Sequence, residues 1–361
     1  MGLILTGGFL VWTRYAQNQE QIFPYPYHFI SQAPAIQLDA PILITGDRMG
    51  KYFAKFQTEL AATISQNLAK PIKIQSLAKD GFALHRTLHE LRSLTQWPQI
   101  LIYQGGSEEM GENKFELPEI PKIVTNFKRY NDDRIETLLI LYPKLSRLIY
   151  EPIKKVKLAE TPVITAQGNE AEYLKRLEME ILLFEQQLIQ LVGLSKDRNS
   201  LLILTTTPVN MDISPHKVCS FTTTVEIEEA IGSLRDLIRA KNHKAAYAMS
   251  TKLTQQYSGN ALLLYIHGQV ARRLGKNDEA KKALLESSAF DCEPWRANEI
   301  HNSIIRKVAK EQQVMLFDFA KLVENQWPEN PTFFDELYAQ NLNYDRAMKQ
   351  LGLVIKNILK L

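Results

Sequence analysis

The sequence predicts a three-layer, doubly wound α/β protein with a parallel five-stranded sheet and an inserted α-helical repeat subdomain. Three observations predict this fold: five short apolar runs, longer segments of helical periodicity between them, and a stretch without strand character at roughly 225–290. Runs that are apolar throughout indicate strands buried on both faces, as in a parallel sheet covered by helices. The 361 residues, of which 45% are hydrophobic, suffice for such a core.

The predicted strands are short and lie between turn-forming or helical segments, which is the βαβα order of a doubly wound sheet. They are PILIT at 41–45, IKIQSL at 72–77, QILIYQ at 99–104, LLILTTT at 201–207 and VMLFDF at 314–319.

Two of the intervening segments show the apolar spacing of amphipathic helices. The segment 50–70 places four apolar side chains on one helical face, and the segment 173–193 repeats apolar residues at intervals of three and four. The four side chains of the first segment are Phe53, Phe56, Leu60 and Ile64.

The stretch 225–290 contains two segments that superpose with an offset of 34 residues, which pairs Ala246 with Ala280 and Lys241 with Gly275. This offset resembles the tetratricopeptide period. Two repeats are too few for an independent solenoid, so we expect them to pack on the α/β domain and to offer a surface to a protein or peptide. The alternative is that small residues at these spacings only serve helix packing.

The predicted domain boundaries follow from these patterns. They are an N-terminal apolar segment with a connector at 1–39, a first α/β part at 40–224, the helical insertion at 225–290 and a second α/β part at 291–361.

The N-terminus carries an uncharged apolar run from Gly2 to Trp12. As a helix it would span only ~16 Å, whereas a hydrocarbon core is ~30 Å thick. It lacks the flanks of a signal peptide. We expect either the remnant of an anchor or a short anchor assisted by interfacial Trp12, Arg14 and Tyr15; the alternative is a buried helix or strand.

Charge and cysteine content restrict the class of partner and site. The formal net charge is +3, from 43 basic and 40 acidic residues, so the sequence predicts no nucleic acid partner. Cys219 and Cys292 lack the CxxC spacing of a metal site and flank the insertion. They are either ordinary buried thiols or the two halves of a disulfide bridge.

Four blocks follow the predicted strand ends, where ligand crevices of open α/β sheets form. They are ITGDRMG, LAKDG and YQGGSEE after the first three strands, and TFFDELY before the last helix. In order and spacing they resemble the SGNH (GDSL) hydrolase family, over about residues 40–205 and 290–361. The resemblance implies a flavodoxin-like fold and a site built from a nucleophilic serine, an oxyanion-hole glycine and asparagine, and an Asp-x-x-His pair.

Several positions match this family pattern. Gly46 and Asp47 match the first block, Gly81 matches the oxyanion-hole glycine, Gly105 matches the third block, and Asp335 matches the last.

The reacting positions do not match. Arg48 stands at the nucleophile position, Ser107 at the asparagine position and Tyr338 at the histidine position. A guanidinium stays protonated and has no usable lone pair, and a phenol with a pKa near ~10 is a poor base at neutral pH. The sequence therefore predicts that the usual acyl-transfer mechanism is lost.

Arg48 has two candidate roles. Its guanidinium either pairs with a crevice carboxylate, Asp335 or Glu108, or forms an anion site with Lys51 for a carboxylate, a sulfate or an acidic sugar.

A rewired active site is the other alternative, and it draws on residues near the crevice. Ser107 would need a base, and the adjacent Glu108 and Glu109 are expected to diverge in direction. His85 and His89 form an H-x-x-x-H pair without an evident third ligand, so we interpret them as solvent-facing residues and expect no metal or cofactor.

These observations predict an inactive SGNH-like protein that acts as a binding or scaffolding module for an anionic or carbohydrate ligand and a protein partner. The competing hypotheses are an esterase or deacetylase that acts on acylated carbohydrate through a non-standard site, and an adaptor that uses only the repeats. The resemblance implies a bacterial envelope protein, membrane-anchored or periplasmic; the alternative is a cytoplasmic protein.

Overall fold

The computed structural model describes residues 23–66, 68, 71–163, 169–293 and 296–359. The chain divides into two compact units. The first takes in the chain up to Gln32 together with Glu112–Thr165, and the second comprises Ala33–Gly111 and Ala166–Leu361. This division differs from the predicted boundaries, because residues 112–165 belong to the first unit and not to a continuous α/β segment at 40–224.

The strands include a five-stranded sheet in the second unit and a two-stranded parallel sheet in the first. They are β1 (Tyr27–Phe29), β2 (Ile42–Gly46), β3 (Ile74–Ser76), β4 (Ile100–Gln104), β5 (Val156–Leu158), β6 (Leu201–Thr205) and β7 (Met315–Phe317).

The large sheet is parallel and has the order β3-β2-β4-β6-β7, which confirms the predicted parallel α/β architecture. Four of its strands lie within the apolar runs that predicted them, and β2 extends one residue beyond its run, to Gly46. The register pairs Gly46 with Gln104, Gln104 with Thr205, and Thr205 with Phe317, so the carboxyl ends of four strands are level. The segments that follow β2 and β4 therefore start side by side at one edge of the sheet.

The helices are divided between the two units. The first unit contains α4 (Ile120–Tyr130), α5 (Asp133–Leu141) and α6 (Ser146–Ile149). The second contains α1 (Arg48–Ala54), α2 (Gln57–Ser65), α3 (Leu84–Leu91), α7 (Glu170–Asp197), α8 (Val225–Arg239), α9 (His243–Gln256), α10 (Ala261–Arg273), α11 (Asn277–Ala289), α12 (Glu299–Glu311), α13 (Phe319–Glu324) and α14 (Asn341–Leu359).

The core of the second unit consists of two apolar clusters, one on each face of the large sheet. Leu43 and Leu101 pack with side chains of α3, α7 and α12, whereas Ile44 and Ile102 pack with side chains of α1, α2 and α14. Successive residues of a strand point to opposite faces, which explains why uninterrupted apolar runs form these strands. The result is the predicted three-layer arrangement.

The helix predicted at 50–70 is broken in two. The chain turns at Lys55 and Phe56, where their backbone N–H groups donate to the carbonyls of Tyr52 and Phe53. The predicted apolar face survives the break, because Phe53, Leu60 and Ile64 are buried and Phe56 is half-buried.

The predicted insertion is a run of four helices, α8 to α11, that packs on the rest of the second unit. Ala271 and Leu284 contact Met211 and Trp327, and Tyr265 donates a hydrogen bond to the backbone carbonyl of Asp212 at 2.9 Å.

The ends of α8 and α10 are alike at the predicted offset of 34 residues. Lys241 and Gly275 both have positive φ, at 56° and 75°. The N–H groups of Asn242 and Lys276 each donate to a carbonyl five residues earlier, which is the hydrogen bond of a Schellman cap. These caps are equivalent by geometry; the assignment to tetratricopeptide repeats stays a prediction.

Cys219 and Cys292 form a disulfide with their Cα atoms 5.4 Å apart. The bridge joins the chain before α8 to the chain after α11, which decides between the two alternatives left open by the sequence. Tyr173 packs against it from α7.

Within the described parts of the chain, none of the helices combines the length and apolarity needed to cross a bilayer. The apolar run Gly2–Trp12 lies outside the described residues, so the predicted anchor stays a prediction.

Candidate functional site

Asp47 links the ends of β2 and β4. It is 1% exposed and caps α1, because its Oδ1 accepts a hydrogen bond from the backbone N–H of Met49 at 2.8 Å. Its Oδ2 accepts from the backbone N–H of Ser107 at 2.7 Å and from the Ser107 hydroxyl at 2.8 Å. Burial raises the pKa of Asp47, the hydrogen bonds from Ser107 and Met49 oppose that rise, and the charge of Glu109 adds to it. Asp47 is thus a buried structural acceptor between the two strand ends.

The hydroxyl of Ser107, a residue of the predicted crevice, donates a hydrogen bond to the carboxylate of Asp47. Attack on an acyl group requires a base that takes this proton near neutral pH, which an imidazole does well and a carboxylate does poorly. The hydroxyl of Ser107 is thus held in place by a carboxylate, which is not the imidazole that activates a serine nucleophile.

Arg48 forms an ion pair with Glu108, with its Nε 3.2 Å from Oε1. Glu108 is one of the two carboxylates predicted as its partner. Burial raises the pKa of Glu108 to about 6; the charge of Arg48 opposes the rise, and the charges of Asp47 and nearby acids add to it. The side chains of Arg48 and Glu108 are 28% and 17% exposed, so the pair is partly accessible to solvent.

Glu109 diverges from Glu108, as predicted. It is 1% exposed, and its Oε1 accepts from the backbone N–H of Leu84 at the start of α3, at 2.8 Å. Burial raises the pKa of Tyr103 well above its usual value, and the charges of Glu109 and Asp47 raise it further.

Gly105 lies directly beside Tyr103. A Cβ atom at Gly105 would lie 2.5 Å from the Tyr103 hydroxyl oxygen, so the position has no room for a side chain while that buried tyrosine stays in place. The glycine of the third block is explained by this contact.

Gly81 lies at the turn after β3, and the side chain of Lys51 reaches this turn from α1. Gly81 has a φ of 73°, which favours glycine, and Asp80 beside it accepts from the ammonium group of Lys51 at 2.5 Å. Arg48 and Lys51 therefore each have a carboxylate partner. This arrangement leaves less free positive charge for the predicted anion site.

Asp335 and Tyr338 lie in the loop before α14. The Oδ1 of Asp335 accepts from the backbone N–H groups of Leu337 and Tyr338, at 2.8 and 2.6 Å, and thereby shapes the loop. The pKa of Tyr338 is raised mainly by burial, so this phenol is an even poorer base than an exposed tyrosine.

A group of three aromatic rings, Tyr52, Tyr338 and Phe334, borders the crevice; we call it the aromatic group. Tyr338 stacks on Tyr52 with ring centroids 4.0 Å apart, and it is nearly parallel to Phe334 at 6.2 Å. The ammonium group of Lys55 lies 4.3 Å from the Tyr52 centroid. Phe334 remains 57% exposed. Sequence reasoning missed this group; its signal was the aromatic residues just after the first block, at 52–53, and within the last block.

The two histidines of α3 differ from the prediction. His85 is 1% exposed, so its interpretation as a solvent-facing residue is wrong, while His89 is half-buried. His85 belongs to a stretch of α3 that is buried on more than one face, which the short helical pattern did not reveal. No cluster of three or more metal-ligating side chains occurs among the residues with described positions.

A serine, a histidine and a carboxylate do meet in the helical insertion, and sequence reasoning missed them because they come from three helices. The Ser250 hydroxyl lies 2.9 Å from Nδ1 of His267, and Nε2 of His267 lies 3.1 Å from Oε1 of Glu279. Ser250 is fully buried and also donates to the carbonyl of Tyr247. A substrate cannot reach this hydroxyl, so the arrangement is a polar network within the helix packing rather than a catalytic triad.

No protein-family model matches the chain, and no curated protein matches it in sequence. Two solved structures are similar in shape. A GDSL-like lipase from Bacteroides thetaiotaomicron VPI-5482 has 9% identity and a TM-score of 0.35, with 91% of this chain and 93% of that chain covered. A putative acylhydrolase from Bacteroides fragilis NCTC 9343 has 9% identity and a TM-score of 0.36, with 91% and 92% covered. At these scores neither structure carries an argument about the site, whose interpretation rests on its own residues.

Proposed function

We propose that this protein is a catalytically silent, SGNH-hydrolase-like binding protein whose crevice takes a carbohydrate. The observation that carries the proposal is that two of the reacting positions are held by neighbouring carboxylates: Arg48 pairs with Glu108, and the Ser107 hydroxyl donates a hydrogen bond to Asp47. Acyl transfer needs a free nucleophile and a base poised near neutrality, and triad enzymes lose several orders of magnitude in rate when one member is removed.

The choice of a carbohydrate over a simple anion follows from the charges and the rings. Arg48 and Lys51 already have carboxylate partners, which weakens the case for an anion site. Phe334 presents an exposed ring next to Tyr338, and the charged groups of Arg48, Asp80 and Asp335 lie near enough to shift the pKa of Tyr338. A sugar ring has an apolar C–H face and a hydroxyl edge, so it matches an aromatic surface flanked by hydrogen-bonding groups.

Calorimetric titration with neutral and acidic hexose oligosaccharides tests the ligand class. We expect a neutral oligosaccharide to bind, and Phe334→Ala to weaken binding about tenfold because the exposed ring supplies apolar contact. Phe221→Ala is the matched control, since Phe221 is also 57% exposed but lies before α8. Equal loss in both variants, or no heat from any oligosaccharide, would argue against the proposal.

The alternative is an esterase or deacetylase on acylated carbohydrate with a non-standard site. It is favoured by one observation: Glu108, a carboxyl group with a pKa of about 6, follows directly after Ser107. We expect p-nitrophenyl acetate hydrolysis at the buffer rate and no labelling by a fluorophosphonate probe. Turnover that disappears in both Ser107→Ala and Glu108→Gln would establish the enzyme instead.

We further propose that the protein works in a bacterial cell envelope, anchored or periplasmic, with α8–α11 as a surface for a protein or peptide. The disulfide between Cys219 and Cys292 supports an oxidising compartment, because such bridges are rare where thiols are kept reduced. Fractionation of the native host cells tests this location, and recovery of the protein in the cytosol would contradict it.

A further inference from the structure

The first unit contains a cavity of about 240 Å³ that the proposed function does not use. Its walls come from α4, from α6 and the segment after it, and from the start of the described chain. Most of the wall is apolar and is built by Phe23, Pro24, Tyr150, Pro152 and Ile153.

Hydrogen bonds from α4 fix the wall formed by the segment after α6. The side-chain amide of Asn126 donates to the carbonyl of Glu151 at 3.0 Å, and the N–H of Glu151 donates back to Oδ1 of Asn126 at 2.6 Å. The guanidinium of Arg129 donates to the carbonyl of Ile149 at 2.6 Å. The wall is therefore held in place before any ligand arrives.

The charges around the cavity are unbalanced. Glu151, the acid in the lining, is paired with Arg129 at 3.2 Å. Arg147 and Lys155 also line the cavity, and among the described residues neither forms an ion pair or a side-chain hydrogen bond. The neighbouring Lys154, by contrast, is paired with Glu116 at 2.6 Å.

The surroundings of Lys155 agree with an unmatched charge. Burial around its ammonium group lowers its pKa, although the residue as a whole keeps a large exposed area. A cation in this position is stabilised by an anion that enters the cavity.

We propose that this cavity binds a small amphiphilic anion, with an apolar body against Phe23, Pro152 and Ile153 and a carboxylate or phosphate group on Lys155 and Arg147. All residues that line this cavity belong to the first unit. The proposal can therefore be tested independently of the function proposed for the crevice in the second unit.

Titration of the full chain with octanoate, octan-1-ol and acetate tests the proposal by calorimetry. We expect octanoate to bind. Octan-1-ol lacks the carboxylate and acetate lacks the apolar chain, so each should bind at least about tenfold more weakly, equivalent to about 1.4 kcal/mol. Soluble dihexanoylphosphatidylglycerol separates a free acid from a lipid as the source of the anion. Binding tighter than that of octanoate would identify a lipid, and weaker binding would identify a free acid.

Variants connect the binding to the cavity. Lys155→Met is expected to weaken octanoate binding about tenfold, while Lys157→Met, which removes the same charge from an exposed position on β5, should leave it unchanged. Ile153→Ser tests the apolar wall, and circular dichroism verifies that each variant folds. Equal binding of octanoate by Lys155→Met and the wild type, or no binding by the wild type, would overturn the proposal.

Discussion

At the scale of single residues, the crevice is a set of charges neutralised by one another. The buried carboxylate of Asp47 accepts three hydrogen bonds, and Glu108 forms an ion pair with Arg48. An active site commonly leaves at least one group poised for reaction, with a pKa tuned to the task. Glu108, whose pKa is raised to about 6, is held in an ion pair by Arg48, which is the arrangement of a stabilised crevice.

Glu108 is expected to make the stability of the protein depend on pH. Its pKa is raised from 4.5 to about 6 in the folded protein, so the folded state binds the proton more tightly than the unfolded state does. The free energy of unfolding should therefore fall as pH rises from 4.5 to 6, by up to about 2 kcal/mol from this group. In Glu108→Gln this decrease should be absent. Urea denaturation at pH 4.5 and pH 7 measures the difference.

The control for this experiment is Glu329→Gln, which changes an exposed carboxylate of the same unit. Its pH dependence should follow the wild type. A Glu108→Gln variant with an unchanged pH dependence would show that the carboxyl group titrates like an exposed glutamate.

At the scale of elements, apolar runs predicted the five strands of the large sheet well, because a strand buried on both faces needs an uninterrupted apolar sequence. They did not predict β1 and β5, which are three residues long and not fully buried. The break of the predicted helix at Lys55 was not predictable from periodicity, since the apolar face continues across it. The aromatic group was missed for another reason. Tyr52 and Tyr338 are far apart in the chain, and only the fold brings their rings together.

The residues that follow α8 and α10 differ in the cost of their left-handed backbone conformation. Lys241 ends α8 with a φ of 56°, where a side chain costs roughly 1–2 kcal/mol, and Gly275 occupies the equivalent position after α10 without that cost. Lys241→Gly should therefore raise the free energy of unfolding by about 1 kcal/mol. Chemical denaturation at constant ionic strength measures it.

The matched control is Lys252→Gly, an exposed lysine inside α9. Glycine in a helix interior is unfavourable, so this variant should lose about 1 kcal/mol. If both variants were destabilised equally, the left-handed cap at Lys241 would not exist in solution.

At the scale of the whole molecule, the large sheet and the insertion play different parts. The level carboxyl ends of β2 and β4 bring Asp47 and Ser107 together. The insertion interrupts the chain between β6 and β7, and its helices pack on Met211 and Trp327. The disulfide joins the chain just before α8 to the chain just after α11, so it closes a loop that contains the whole insertion. This loop limits the conformations that the unfolded chain can adopt.

The disulfide between Cys219 and Cys292 is expected to stabilise the folded protein. Cys219 and Cys292 are 73 residues apart, and a cross-link over a loop of this length stabilises a protein by about 4 kcal/mol through the reduced entropy of the unfolded chain. Reduction with dithiothreitol should lower the midpoint of thermal unfolding by several degrees. The double variant Cys219→Ser and Cys292→Ser should unfold at that lower midpoint with or without dithiothreitol. Iodoacetamide labelling of the denatured, unreduced protein at either cysteine would show that the bridge does not form, and the same midpoint before and after reduction would show that it contributes nothing to stability.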